Sequence, residues 1–189
     1  MKLSILIPSL IDRAESLNLL KIELERQVLE NGLLGQVETI TLVDNRELTI
    51  GAKRNELLKR ANGEYLCYFD DDDYPSRKYI KRIFEGIKEK PDCCSLMGLI
   101  TWNGENPEIF EHSIKYSEYK TNPPTNGIRY ERYPNHLNVI KSEIAKQFKF
   151  EEINFGEDTK WATRLFMSGL LKTEYYIHDV LYEYRYKRK

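Results

Sequence analysis

The chain has 189 residues, of which 29 are basic and 30 acidic, for a formal net charge of -1. That length suits one domain with a sizeable core, and the balanced charge supplies no global field of the kind that gathers nucleic acid, so no nucleic-acid partner is expected. Three cysteines, with Cys93 and Cys94 adjacent, make neither a disulfide framework nor a metal-binding spacing, and no apolar run approaches the roughly 20 residues of a bilayer span, so the expectation is a cytoplasmic protein with no transmembrane segment.

In chain order, the apolar run from Leu3 to Ile7, closed by Pro8 and Ser9, predicts a buried parallel strand whose functional end is at Pro8. Leu17, Leu20, Leu24 and Val28 recur at helical spacing and Asn31-Gly32 supplies a stop, which gives a crossover helix. Val37 to Val43 reads as a second strand that ends in Asp44-Asn45. A helix over Gly51 to Gly63 follows, beginning with glycine and ending in Asn-Gly. The chain then enters Tyr65-Leu66-Cys67-Tyr68-Phe69, a buried strand that runs straight into Asp70, Asp71, Asp72 and Asp73. Strand, helix, strand, helix, strand predicts a parallel, doubly wound sheet with ligands at the carboxyl ends of its strands.

Adjacent carboxylates repel one another, which raises some of their pKa values unless a cation is present. Oxygen-only ligands suit a hard divalent ion, and a site with one or two carboxylates leaves positions open for phosphate oxygens. A solvated acidic turn before a helix is the competing reading of the same residues.

Ser76 to about Lys90 carries Ile80, Ile83, Phe84 and Ile87 on one face and predicts a covering helix. Cys93 to Trp102 and Ile109 to Ile114, with Asn103-Gly104 between them, predict a hairpin or two adjacent strands. Residues 115 to 135 show no clear periodicity and read as a long loop over the site or as a plain surface loop; Tyr116, Tyr119, Tyr130 and Tyr133 fall within it. His136 to Phe148 looks helical. Gly156-Glu157-Asp158 opens another helix, with Trp161 and Leu165 on its inner face and Ser168-Gly169 as its stop. Leu171 to Ile177 and Val180 to Tyr186 read as two short strands, and Lys187-Arg188-Lys189 as a frayed basic tail.

Together Leu3 to Ser9 with Arg13, Val43-Asp44-Asn45, Gly51-Ala52-Lys53-Arg54-Asn55 with Ala61 to Tyr65, and Gly156-Glu157-Asp158 resemble the GT-A glycosyltransferases, closest to family 2, over nearly the whole chain. The resemblance implies an α/β, Rossmann-like, mostly parallel sheet with covering helices in a single compact domain. Residues 1–114 would form the nucleotide-sugar-binding half and 115–189 the acceptor-binding half. It also implies a metal-dependent, inverting transfer from a nucleotide diphosphate sugar to an acceptor hydroxyl on a glycan, a lipid-linked molecule or a protein. Asp70 and Asp72 become the DxD pair that holds Mn²⁺ or Mg²⁺, joined by His178 as in some relatives. Pro8, Ser9, Arg13, Asp44, Arg54, Asp70 and Asp71 would bind the donor, with Asp44 reading a uracil base. Asp158 would be the general base, and Glu157, Asp73 and His136 would meet the acceptor. Two other readings stay open: a sugar-phosphate nucleotidyltransferase, against which the stretch Pro8 to Arg13 lacks a glycine-rich loop, and a non-catalytic nucleotide-sugar-binding module. The oligomeric state is not readable from the sequence.

Overall fold

Leu3–Leu10 forms strand β1, and Leu3, Ile5, Leu6 and Ile7 on it are all fully covered. Apolar side chains on both faces require cover on both sides, and the chain supplies it with helices. The computed structural model describes residues 1–124 and 127–186; the expected basic tail, Lys187 to Lys189, lies outside the described residues. Helix α1 (Ala14–Glu30) turns Leu17, Leu20, Leu24 and Val28 inward, and β2 (Val37–Asp44) then pairs parallel with β1, placing Asp44 beside Leu10. Helix α2 (Ile50–Arg60) starts at Thr49, whose hydroxyl accepts the Ala52 N–H at 3.2 Å, a standard N-cap. Strand β3 (Tyr65–Tyr68) lies parallel on the other side of β1 and delivers the aspartates to the same sheet edge as Pro8 and Asp44. A Cβ on Gly63, just before it, would stand 2.6 Å from the Ser4 nitrogen, so this glycine serves the close approach of two backbones.

Beyond β3 the chain builds more than a parallel sheet. Strand β4 (Tyr74–Pro75) and helix α3 (Tyr79–Ile87) lead to β5 (Cys93–Cys94), and β6 (Leu96–Trp102) and β7 (Glu105–His112) form the expected antiparallel hairpin. Its turn places Asn103 and Gly104 at φ +54° and +84°. Then come β8 (Lys120–Thr121), β9 (Ile128–Arg132), β10 (Ile140–Lys141), α4 (Ser142–Ala145), α5 (Glu157–Ser168), β11 (Glu174–Tyr175) and β12 (Val180–Tyr186). The first sheet has the order β11-β5-β10-β3-β1-β2 and the second β4-β12-β6-β7-β9-β8. The chain crosses between the two sheets several times, among them at Ser95 between β5 and β6, between β9 and β10, and between β11 and β12. The second sheet is the part that the expectation of one mostly parallel sheet did not contain.

Two expected elements are corrected. The loop over 115 to 135 contains β8 and β9, and β9 pairs parallel with β7. Its five residues, Ile-Arg-Tyr-Glu-Arg, are all half-buried and too few for alternation to stand out. The helix over His136 to Phe148 shrinks to the short α4. Ile140 pairs antiparallel with Leu66, and Asn138 donates to the Cys94 carbonyl at 3.0 Å, so sheet pairing overrides a local helical pattern. Alternating residues of the first sheet feed two apolar clusters, Ile5, Ile7 and Cys67 on one side and Leu6, Leu66 and Tyr68 on the other. Trp161 of α5 is fully buried in the second cluster and stacks on Phe150 at 5.0 Å.

Candidate active site

The carboxyl ends of β1 and β3 and the first turns of α2 and α5 enclose a cavity of about 860 Å³, lined among others by Pro8, Ser9, Arg13, Asp70, Asp71 and Asp72. A second cavity, of about 360 Å³, opens between these elements and the second sheet, where Tyr119, Tyr130, Arg132 and His136 line it. Arg54, Asp70, Asp158, Thr159 and Tyr184 line both, so the two cavities meet at these residues.

The four aspartates diverge, which relieves their repulsion. Asp71 is buried and accepts the Ser9 hydroxyl at 2.5 Å and Arg13 at 2.8 Å; Arg13 also reaches Asp72 at 3.0 Å. Burial raises the Asp72 pKa, opposed by Arg13 and assisted by its acidic neighbours. Asp70 turns toward Arg54, which donates to it at 3.1 Å and to Glu157 at 2.5 Å. Burial would raise the Asp70 pKa, yet the Arg54 guanidinium beside it holds it well below the ordinary carboxylate value. Asp73 points toward the second sheet, where it accepts the Tyr182 hydroxyl at 2.5 Å and the Arg185 backbone N–H at 3.2 Å. Burial, and then the charge of Asp70, pushes its pKa up to about 8.

On α2, Arg54 and its neighbour Lys53 are both almost fully buried, which side chains of this kind tolerate only when paired. Lys53 pairs with Asp44 and donates to the Ser9 carbonyl at 2.7 Å. Asp44 itself lies beside the larger cavity without lining it, accepting the backbone N–H groups of Arg46 and Leu48 at 3.2 and 2.8 Å. Its carboxylate thus holds the turn after β2 and the Lys53 ammonium together. The loop before α5 packs against the start of α2 so closely that a Cβ on Gly51 would stand 1.8 Å from the Glu151 carbonyl oxygen.

At α5, Gly156 has φ +79° and nothing near its missing Cβ, so it is there for a left-handed turn; close backbone approach belongs to Gly51 instead. That turn sends Glu157 inward, to Arg54, and leaves Asp158 half-buried at the junction, accepting the Thr159 N–H at 2.7 Å. His136 lines the smaller cavity and is 4% exposed.

The structure does not bring His178 to the carboxylates. It is exposed, rests on Tyr176 at 4.7 Å and lines neither cavity, because Asp179 beside it is tied to Lys78 and Arg82 at the start of α3. Among the described residues no group of three or more His, Cys, Asp and Glu side chains is arranged to hold a metal ion. Of the tyrosines named from sequence, Tyr119 and Tyr130 line the smaller cavity; Tyr133 stacks on Phe166 at 4.5 Å, and Tyr116 is bonded to Glu111. Arg132, His112 and Tyr184 were missed, and only recognition of the second sheet would have pointed to them.

The model of the family described as Glycosyl transferase family 2 matches residues 27–164, well over half of the chain. This chain belongs to glycosyl transferase family 2. A family relative, described as an uncharacterized glycosyltransferase of Methanocaldococcus jannaschii, is 28% identical over 118 residues, which cover 60% of this chain and 39% of that protein. Among solved structures, S. aureus TarS 1–349 in complex with UDP-GlcNAc superposes with a TM-score of 0.66 at 16% identity, covering 100% of this chain and 60% of that one. Its complex with UDP gives 0.66 at 17% identity, covering 98% and 61%. At that identity the likeness shows a shared fold, the GT-A arrangement of a glycosyltransferase. The chain spans less than two thirds of the length of these relatives. No helix among the described residues is long and apolar enough to cross a membrane.

Proposed function

We propose that this family 2 chain transfers one sugar from a uridine diphosphate sugar to an acceptor hydroxyl, with inversion at the anomeric carbon. The observation that carries the reading is the junction: Asp158 and Asp70 line both cavities, one large and bordered by carboxylates and Arg13, the other bordered by aromatic side chains. Binding of UDP-GlcNAc and UDP by the similarly folded TarS supports the choice of donor. The donor occupies the larger cavity, against Pro8, Ser9, Arg13 and the Asp71 that Ser9 and Arg13 hold, with Asp44 shaping the base end through its turn. Residues 1–114 supply most of this half. The acceptor, a glycan, lipid-linked molecule or protein, enters through the smaller cavity, built by 115–189 together with Ile100, Phe110 and His112 of the hairpin.

Asp158 takes the proton of the acceptor hydroxyl as its oxygen attacks the anomeric carbon from the face opposite the leaving diphosphate. Its place in the first turn of α5 fixes its direction. Arg54 ties Glu157 and Asp70 into one rigid unit behind it, and Glu157 and Asp73 act on the acceptor by shaping this wall. Asp70 and Asp72 fit a hard divalent ion, Mn²⁺ or Mg²⁺. Both are oxygen donors with side chains 30% exposed toward the larger cavity, and two carboxylates leave coordination positions for a diphosphate. Such an ion, when bound, neutralises charge on the leaving diphosphate.

Calorimetric titration with UDP, with and without Mg²⁺ or Mn²⁺, tests the donor half of this reading. Binding should need the cation and should weaken in Asp72→Asn. UDP binding at full strength in excess chelator would remove the metal from the account, and no UDP binding under any condition would remove the donor.

A further inference from the structure

Arg132, at the end of β9, lines the smaller cavity and makes no ion pair or side-chain hydrogen bond among the described residues. Of the carboxylates on its own and the adjacent strand, Glu131 is engaged toward Lys120, Glu108 by Arg129 and Glu111 by Lys115. Its guanidinium lies instead over the Tyr119 ring at 4.5 Å and toward the Tyr130 ring at 5.6 Å. Aromatic rings against the planar faces leave the N–H edge as the part free to bind, the edge that matches a phosphate or carboxylate.

A second observation comes from the same cavity. His136 is buried, and among the described residues neither of its ring nitrogens makes a hydrogen bond of ordinary geometry, although Asp70 stands close enough to interact with the ring. Native interiors seldom leave such groups unmet, so the ring nitrogen turned away from Asp70 calls for a ligand. Among the described residues the acids of the cavity make no ion pair with Arg132, Asp158 included. Asp70 is held by Arg54, Asp73 by Tyr182 and Arg185, and His112 is bonded to Asn138. Covering Arg132 with a purely neutral ligand would strand a charge away from water.

We propose that the acceptor carries an anionic group, phosphate or carboxylate, which Arg132 binds through its N–H edge while His136 hydrogen-bonds the same molecule. This deepens the reading above and rests on the smaller cavity being the acceptor site. Asp158 lines the same cavity and then faces the hydroxyl and not the charge, since an anionic group placed at Asp158 itself would be repelled.

The test is calorimetric binding of three probes to the full chain saturated with UDP and Mg²⁺: methyl glucoside, methyl glucoside 6-phosphate and methyl glucuronide. At least one charged probe should bind about 10-fold or more tighter than the neutral one, the size expected of a charge-assisted contact. The stronger of the two identifies phosphate or carboxylate as the group. Arg132→Gln should erase the difference, and Arg132→Lys, which keeps the charge without the fork, should restore only part of it. UDP affinity and melting temperature report that each variant is folded. Equal binding of all three probes, no binding of any, or discrimination that survives Arg132→Gln overturns the proposal. UDP binding is measured first in the same cell: its absence counts against the donor reading, and the probes then judge Arg132 on their own.

Discussion

Around the larger cavity the buried charges are ion-paired within the chain, whereas among the described residues the smaller cavity keeps a guanidinium without an ion pair and a buried imidazole without a hydrogen bond of ordinary geometry. Arg13 sits between Asp71 and Asp72, Lys53 is held by Asp44, and Arg54 joins Asp70 to Glu157. Arg132 lies over Tyr119 and toward Tyr130, and His136 rests against Tyr68. Both regions share the residues of one junction, so the contrast is not one of exposure alone. A preformed ion-pair network fixes geometry before any ligand arrives and holds acids that would otherwise repel. Unmet donors instead define what a ligand must bring. The first arrangement fits a site that must grip the same diphosphate every time, and the second one that selects among acceptors.

The largest effect should come from the junction itself. Asp158→Asn should lower turnover by about 10²–10⁴, the usual cost of losing a general base, while UDP affinity measured by calorimetry stays near that of the wild type. Loss of both together would instead place Asp158 on the donor side of the comparison. Next comes Arg54→Met, which leaves Glu157 buried without its counter-charge. Breaking a buried pair in this way typically costs about 3–5 kcal/mol, to be read as a lower urea midpoint. A variant as stable as the wild type would show that the network is not fixed by this guanidinium.

Asp44→Ala sharpens the comparison by separating scaffold from recognition. It removes hydrogen bonds to a charged group, worth about 1.5–3 kcal/mol, and because Asp44 holds Lys53 and its own turn, that loss should appear in urea unfolding. A loss confined to UDP affinity, with stability unchanged, would return Asp44 to direct contact with the base. A separate effect, read through pH, concerns Asp73. Its folded pKa of about 8 stands above the ordinary 3.8, so the native state holds the proton more tightly. Its contribution to stability is therefore complete below pH 3.8 and is lost as pH rises toward about 8. Asp73→Asn, which cannot ionise, should be less stable relative to the wild type at pH 5 than at pH 8.5. Equal differences at the two pH values would mean that Asp73 is already ionised at the lower one.

The region of paired charges was largely legible in the sequence, and the region of unmet donors was not. Hydrophobic runs that end in Pro8, Asp44 and Asp70 place those residues at one sheet edge by topology alone, and parallel sheets gather ligands there. Gly156 marks the entry to α5 because only a glycine is at ease with its positive φ. The smaller cavity depends on β7, β9 and β12, brought together by pairings of long sequence separation. Short, half-buried strands such as Ile128–Arg132 show little alternation to read. His136, read as the start of a helix, is instead set by Asn135, Asn138 and the β10 pairing, contacts that no local pattern encodes. His178 shows the converse failure, since a residue type suited to a metal sits on a strand approach that turns it to solvent.

The central claim is that a sugar in the larger cavity is attacked from the side of Asp158. It is tested most directly by proton NMR of the sugar released from an α-linked UDP-sugar, with water as the acceptor, recorded before mutarotation. The account predicts that the β anomer appears first and that Asp158→Asn slows its release; α anomer as the first product would contradict it.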